Sequence, residues 1–175
     1  MGFSLQMIPI KKLNVEEYLK PIIDDLIIDV LQYKDIHLVT KTQNYSFKVF
    51  SKYSNILYDM FINKCKEHLN DFTLRDKNFE LWCYYTNKDY AKGNKWHNHI
   101  RTSTINSVLY LETVEGKGIE FENNGEHLYI EPKDYDFLIF PDFLNHLPRI
   151  SEDKRRISFN MELRCNENSQ EIFAI

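Results

Sequence analysis

Three histidines are the residues of this chain whose type and spacing could do chemistry together. His97 and His99 flank Asn98, and His146 follows a predicted buried strand at residues 136–141. Because side chains alternate along an extended strand, His97 and His99 would lie on one face with Asn98 turned the other way. A His-x-His pair alone is more often structural, but a third histidine at the end of a buried strand favours a mononuclear metal site.

Arg156 and Ser158 are a second pair that could bind a ligand. In the predicted last strand, residues 155–163, they share one face, whereas Arg155 points the other way. A guanidinium offers two parallel donors to a carboxylate, and a neighbouring hydroxyl adds a third. A basic surface cluster with Lys154 is the alternative, and it suits Lys154 and Arg155 better than Arg156. The pair therefore predicts a socket for the distal carboxylate of a dicarboxylate.

The first half of the chain that must support these residues is mainly helical. Residues 8–13 are predicted to form a short edge strand, and Asn14 can cap the helix that follows. Apolar residues recur there at intervals of three and four, but Pro21 lies inside the pattern and would kink the helix or reset its start. A second amphipathic helix is predicted over residues 53–69.

The second half is predicted to be a series of strands separated by turns. Asn124-Gly125 is the strongest hairpin signal. Helices first and short strands later predict the α+β class, with a double-sheet jelly roll and helices packed outside the sheet over its edge. No composition break divides the chain, so we expect one domain over residues 1–175, with 1–78 as helical support and 79–165 as the core. The predicted strands are 79–86, 105–112, 118–123, 127–131, 136–140 and 155–163.

Composition narrows the classes of partner and compartment. The formal net charge of −4 over 175 residues gives no basic field for nucleic acid. The three cysteines are odd in number and widely spaced, which argues against a disulfide framework or a zinc knuckle and favours a reducing, cytoplasmic location. No apolar run approaches the roughly 18 residues of a membrane span. Nothing in the sequence predicts an oligomeric state.

Several motifs in the second half carry a family resemblance. These motifs are Trp96-His97-Asn98-His99, Ser107-Val108-Leu109-Tyr110-Leu111, Gly118-Ile119-Glu120-Phe121, Leu138-Ile139-Phe140-Pro141, His146 and Arg156-Ile157-Ser158-Phe159-Asn160. With them the chain resembles the iron(II)/2-oxoglutarate-dependent dioxygenases of the prolyl-hydroxylase-like group, especially the small oxygenases of phages and marine bacteria. The resemblance covers about residues 79 to 163, and the N-terminal helices add nothing to it.

This resemblance implies a cupin-like double-stranded β-helix that binds Fe(II) and 2-oxoglutarate. The enzyme would couple decarboxylation of 2-oxoglutarate, which yields succinate and carbon dioxide, to hydroxylation by O₂ of a small molecule or a protein side chain. The implied metal ligands are His97, His99 and His146. The implied 2-oxoglutarate contacts are Arg156, Ser158, Tyr84 and Tyr110. The alternative for the two tyrosines is that they are only core residues.

His99 departs from the family pattern, which usually has aspartate at this position. Three neutral ligands leave two charges of Fe(II) uncompensated; bound 2-oxoglutarate could neutralise them, or Glu120, Glu122 or Asp142 could complete the site. Two alternative functions stay open. One is a three-histidine cupin-type dioxygenase that binds its substrate directly and does not use 2-oxoglutarate, and the other is a non-catalytic binding module.

Overall fold

The protein is described by a computed structural model that covers residues 8–39, 46–47, 52–87 and 95–175. In these residues the helices are α1 (Glu16–Leu19), α2 (Ile23–Val39), α3 (Ser54–His68) and α4 (Ser169–Phe173). The strands are β1 (Lys11–Asn14), β2 (Ser46–Phe47), β3 (Leu74–Thr86), β4 (Ile105–Glu112), β5 (Ile119–Asn123), β6 (Glu126–Ile130), β7 (Asp136–Pro141), β8 (Asn145–Pro148) and β9 (Arg156–Cys165).

The strands form two antiparallel sheets. The large sheet has the order β1-β7-β4-β9-β3-β2, and the small sheet has the order β6-β5-β8. Some strands that pair in the large sheet, such as β3 and β9, are far apart in the sequence. Two antiparallel sheets connected in this way are typical of a jelly roll. The predicted α+β class and double-sheet architecture are confirmed.

The two faces of the large sheet differ in chemistry. One face is apolar and packs against α1, α2 and α3, so that residues from helices and strands form one buried cluster. The helices therefore cover a face of the sheet, and the prediction that they cover its edge was wrong. Burial of this apolar surface is the main stabilising contribution here. From β9 the face receives Ile157, Phe159, Met161 and Leu163, while Arg156, Ser158 and Glu162 project from the opposite, inner face.

Pro21 interrupts the first helical pattern, as its lack of an amide hydrogen predicts. Helix α1 ends at Leu19 and α2 begins at Ile23, so the pattern becomes two helices joined by a turn. Asn14 accepts a hydrogen bond from the backbone amide of Glu16 at 3.1 Å, which satisfies one free donor at the start of α1.

Several elements differ from the sequence prediction. Strand β3 begins at Leu74 rather than 79, and its pairing with β9 shifts register between Leu74 and Phe79. Strand β1 lies at one edge of the large sheet and overlaps the edge strand predicted at residues 8–13, whereas β2, at the other edge, was not predicted. β8 and α4 were not predicted at all. Helix α4 has a readable signal, since Asn168 and Glu171 form a reciprocal capping box.

The predicted hairpin turn at Asn124-Gly125 is present between β5 and β6. Both residues have positive φ, 52° and 85°, as a turn that follows the twist of the strands requires. At the other end of β5, a Cβ on Gly118 would lie 2.0 Å from the carbonyl oxygen of Ile130. The close approach of these strands therefore requires glycine at 118. None of the helices in the described ranges is long and apolar enough to cross a membrane.

Candidate metal centre and anion pocket

The structure brings His97, His99 and His146 together beside the inner face of the large sheet, where His99 contacts Glu162. One ring nitrogen from each lies within 4.8 Å of the others, and no further His, Cys, Asp or Glu of the described ranges joins the group. The Nε2 atoms of His99 and His146 are 3.3 Å apart. His146 is buried, while His97 and His99 are half-buried, so the cluster is open on one side.

Backbone hydrogen bonds fix the positions of the three histidines. The amide of His97 donates to the carbonyl of His146 at 3.2 Å, and the amide of His146 donates back at 2.9 Å. The amide of His99 donates to the carbonyl of Asp142 at 2.9 Å. The expected continuous strand through His97 and His99 is absent, because His97 forms only an isolated bridge and His99 lies in a loop. The two rings therefore meet because His97 pairs with His146 of β8 and His99 bonds to Asp142 in the turn before β8, rather than through strand alternation.

Each imidazole has its Nδ1 atom beside a group that only accepts hydrogen bonds. Nδ1 of His97 lies 2.8 Å from the carbonyl of Lys95, and Nδ1 of His146 lies 3.1 Å from the carbonyl of Leu144. Nδ1 of His99 lies 2.5 Å from a carboxylate oxygen. These contacts assign the hydrogen of each neutral ring to Nδ1 and leave the three Nε2 lone pairs free. This is the tautomer in which an imidazole binds a metal through Nε2.

Burial keeps part of this cluster unprotonated. It lowers the pKa of His146 to about 3, with a further contribution from the nearby His97 and His99. Burial also lowers the pKa of His97 below its ordinary value. Because a metal binds only the unprotonated ring, both histidines are ready for coordination near neutral pH.

The distance between one pair of these nitrogens, those of His99 and His146, fits two ligands of a single divalent metal ion. Two nitrogens that each lie about 2.1 Å from one ion are about 3.0 to 3.4 Å apart for angles between octahedral and tetrahedral. The 3.3 Å between Nε2 of His99 and Nε2 of His146 falls in that interval. Neutral imidazoles suit iron, zinc, copper and nickel, so the donors fit Fe(II) without selecting it.

The three carboxylates that were considered as additional ligands do not reach the histidine group. Each is engaged elsewhere, so the ligand set of the described ranges has no acidic member. Glu120 accepts a hydrogen bond from Arg149 at 2.7 Å, Glu122 accepts one from Asn145 at 2.7 Å, and Asp142 accepts one from Ser169 at 2.5 Å.

Glu162 is the acidic residue that sequence reasoning missed. It is 5% exposed, and its Oε1 atom is the partner 2.5 Å from Nδ1 of His99. Glu162 projects from β9 on the same face as Arg156 and Ser158, a relation that strand alternation alone could have shown. Its cross-strand neighbour is Asn106, whose buried Nδ2 has no hydrogen-bond partner among the described residues.

The other end of the same face holds a buried guanidinium. Arg156 is 1% exposed. Its Nε donates to the carbonyl of Lys117 at 3.0 Å, and its Nη1 donates to Ser158 Oγ at 3.2 Å. Its Nη2 has no partner, and no carboxylate pairs with the side chain, within the part of the chain that is described. A buried cation in this state is costly unless an anion neutralises it, so the pocket is suited to an anion.

Two tyrosines enclose this guanidinium. Tyr84 and Tyr110 are the cross-strand neighbours of Ser158 on either side. The Cζ atom of Arg156 lies 5.7 Å from the ring centroid of Tyr84 and 5.3 Å from that of Tyr110. Burial raises the pKa of Tyr110 to about 12, so its phenol keeps its proton. That hydroxyl has no partner among the described residues, and it can donate to a bound anion.

The chain is similar to known proteins in structure but not in sequence. No family model matches the sequence, and no curated protein is significantly similar to it. Among solved structures, a Pseudomonas putida prolyl-4-hydroxylase is 13% identical, with 93% of this chain and 96% of that chain covered and a TM-score of 0.58. The protein has the fold of the prolyl hydroxylases.

Two further structures show the same likeness. The viral collagen prolyl hydroxylase of Paramecium bursaria Chlorella virus-1, in its 2-oxoglutarate complex, is 15% identical, covers 94% of this chain and 100% of its own, and has a TM-score of 0.58. A Trichoplax adhaerens prolyl hydroxylase, in complex with a hypoxia-inducible-factor peptide, is 13% identical, covers 91% and 85%, and has a TM-score of 0.56. At these identities the comparison establishes the fold, and the site itself must carry the function.

Proposed function

We propose that the protein is an Fe(II)- and 2-oxoglutarate-dependent dioxygenase. The observation that carries this proposal is the buried Arg156, which lacks an anionic partner in the described ranges. It lies on the same face of β9 as Glu162, whose carboxylate contacts His99. One end of the inner face of β9 thus suits a metal cation and the other a carboxylate. A dicarboxylate that chelates the metal with one end and reaches Arg156 with the other satisfies both.

The residues divide this work in a simple way. His97, His99 and His146 would hold Fe(II) through Nε2, and iron with bound 2-oxoglutarate would supply the activation of O₂ for hydroxylation. Arg156 and Ser158 would bind the distal carboxylate. Tyr84 and Tyr110 enclose the guanidinium of Arg156 and would exclude water from its ion pair with that carboxylate, which would strengthen the pair. Tyr110 would also donate a hydrogen bond to it.

The substrate class and the compartment are also part of the proposal. The substrate would be a small molecule or a protein side chain, and the peptide bound by the Trichoplax adhaerens enzyme supports including peptides in a first screen. The cytoplasmic location predicted from the cysteines stays a prediction. All three, Cys65, Cys83 and Cys165, are buried free thiols, which supports a reducing compartment.

The test compares 2-oxoglutarate binding in the wild type and in Arg156→Met. Calorimetry on the anaerobic Fe(II)-loaded protein should show binding, and oxygen should then release succinate. Loss of charged hydrogen bonds worth about 1.5 to 3 kcal/mol each should weaken binding by about 100-fold or more in Arg156→Met. The variant should fold, because the loss of two hydrogen bonds is offset by removal of a buried charge that has no counter-ion in the described ranges.

Arg155→Met is the matched control, because Arg155 is the adjacent residue and pairs with Glu112 outside the pocket. Its affinity for 2-oxoglutarate should equal that of the wild type. Absence of both 2-oxoglutarate binding and succinate in the Fe(II)-loaded wild type would overturn the proposal.

A three-histidine dioxygenase that does not use 2-oxoglutarate is the second candidate. His99 favours it, because an all-histidine ligand set differs from the two-histidine, one-carboxylate set of the Fe(II) oxygenases. This candidate predicts metal binding without measurable 2-oxoglutarate binding, and the same metal affinity in the wild type and Arg156→Met. A non-catalytic module instead predicts that reloaded protein retains no divalent metal.

A further inference from the structure

Glu162 lies on the inner face of β9 beside His99, and neither the proposed metal ligands nor the anion pocket gives it a role. We propose that Glu162 is a positioning residue that supplies, through His99, the negative charge that a three-histidine site lacks. The inference rests on the metal centre of the proposed function, and it does not depend on 2-oxoglutarate. The carboxylate would lie one hydrogen bond outside the ligands rather than among them.

The contact between Glu162 and His99 is short and sheltered. The side chains of Glu162 and His99 are 7% and 16% exposed, and Oε1 lies 2.5 Å from Nδ1. The two residues come from different places in the fold, β9 and the loop before β4. The amides of Thr102 and Ser103 donate to the carbonyl of His99 at 3.0 and 3.2 Å and hold this loop in place. Both partners are therefore fixed before any metal binds.

The charge of Glu162 has no full counter-charge in the described ranges. The basic residue closest along the strand, Arg164, donates instead to Glu80 at 3.0 Å and to the carbonyl of Thr102 at 2.6 Å. His99 is the only ionisable side chain paired with Glu162 among the described residues. A buried carboxylate of this kind is costly unless a positive charge lies near it. A divalent ion bound to Nε2, on the far side of the same ring, would supply that charge.

The chemical consequence is a stronger ligand. A carboxylate that accepts the Nδ1 hydrogen of a metal-bound histidine fixes the tautomer and ring orientation and raises the basicity of the other nitrogen. His99 thereby gains part of the anionic character that an aspartate ligand would provide. Loss of such an outer partner typically weakens metal binding by about 10- to 100-fold.

The test measures Co(II) binding to the chelator-stripped protein, without 2-oxoglutarate, in Glu162→Gln and Glu162→Met. Gln keeps an acceptor for Nδ1 but removes the charge, so we expect about 10-fold weaker binding, and about 100-fold for Met, which removes both. Glu80→Gln is the control. Glu80 lies directly opposite Glu162 in the pairing of β3 with β9, but it bonds to Arg164, and its loss should leave Co(II) affinity unchanged.

Two further readouts separate positioning from a general loss of structure. Nitrogen-15 NMR of the metal-free wild type should show His99 with its hydrogen on Nδ1, and Glu162→Met should lose this preference while circular dichroism stays unchanged. In a His99→Asp background, Glu162→Gln should leave Co(II) affinity unchanged or raise it, because the ring that transmits the charge is gone.

Equal Co(II) affinity in the wild type, Glu162→Gln and Glu162→Met would overturn the inference. So would an equal loss from Glu162→Gln in both backgrounds, since the effect would then not pass through His99. Neither result would bear on the proposal that 2-oxoglutarate binds at Arg156, which is tested separately. Conversely, loss of 2-oxoglutarate binding with intact Co(II) dependence on Glu162 would overturn only the proposed function.

Discussion

The two ends of β9 on the inner face of the large sheet carry buried charges of opposite sign. Arg156 at one end has no anion, and Glu162 towards the other has only the imidazole of His99, within the described ranges. The two residues would relieve each other if they touched, but the strand holds them apart. This separation supports the proposed ligand set, which would bring a cation to one end of the strand and an anion to the other.

The ends also differ in what their hydrogen bonds leave open. At the histidine end, every Nδ1 atom is satisfied and three acceptor lone pairs remain. At the Arg156 end, donors remain, since Nη2 of Arg156 and the hydroxyl of Tyr110 lack partners among the described residues. Free acceptors bind a metal, and free donors bind oxygen anions. The unsatisfied atoms thus specify the ligand chemistry more sharply than the fold does.

His146→Ala is expected to have the largest effect and to break only the histidine end. It removes the most buried of the three rings, and Co(II) or Zn(II) binding should weaken by more than about 100-fold, since loss of even an outer partner typically costs about 10- to 100-fold. Calorimetric titration with each metal measures this. Unchanged affinity would show that the histidines do not act as one site, whereas Arg156→Met should leave metal affinity intact.

The histidine end should also be the pH-sensitive one, because an arginine does not titrate in the accessible range. The pKa of His146 is about 3 in the fold, below the value of about 6.5 in an unfolded chain. As the pH falls below about 6.5, the unfolded chain therefore takes up a proton that the fold refuses. The free energy of unfolding of the metal-free protein should fall by roughly 2 kcal/mol between pH 6.5 and 5.

Urea unfolding with chelator at a series of pH values measures this dependence. His146→Ala should show a flatter profile by about that amount, since it lacks the titrating ring. Parallel profiles for the wild type and the variant would contradict the pKa of His146. Arg156→Met should keep the slope of the wild type, which restricts the effect to one end of the cavity.

The sequence predicted which residues share a face of a strand better than it predicted the contacts between distant parts of the chain. The two-residue period of β9 placed Arg156 and Ser158 on one face, and the same period explains why Ile157 and Phe159 meet the helices. The same period extends to Glu162 on the inner face and to Met161 and Leu163 on the face covered by the helices. The sequence therefore contains the information for both features.

Other features depend on contacts that no local pattern encodes. The pairing of His99 with Glu162 requires the loop before β4 to fold back onto β9, which rests on backbone bonds such as that from His99 to Asp142. Strand β8 has only four residues, which is too short for a periodic signal. Its pairing with β5 and with His97 is what brings His146 into the cluster.

Tyr110→Phe is the smallest and most discriminating change at the Arg156 end. Its hydroxyl is buried without a partner in the described ranges, so its removal should raise the free energy of unfolding of the ligand-free protein by about 1 kcal/mol. The same change removes a donor to the bound carboxylate, and 2-oxoglutarate affinity should fall by about 3- to 10-fold. The variant should therefore gain stability and lose 2-oxoglutarate affinity. A tyrosine with only a structural role would not produce this combination.

Urea unfolding and calorimetry on one preparation measure both quantities. Tyr58→Phe is the control, because its hydroxyl donates to Asn78 at 3.3 Å on the helical side of the sheet. It should lose a little stability and leave 2-oxoglutarate affinity unchanged. If Tyr110→Phe instead loses stability and keeps its affinity, the phenol has a partner inside the protein, and the anion pocket is limited to Arg156 and Ser158.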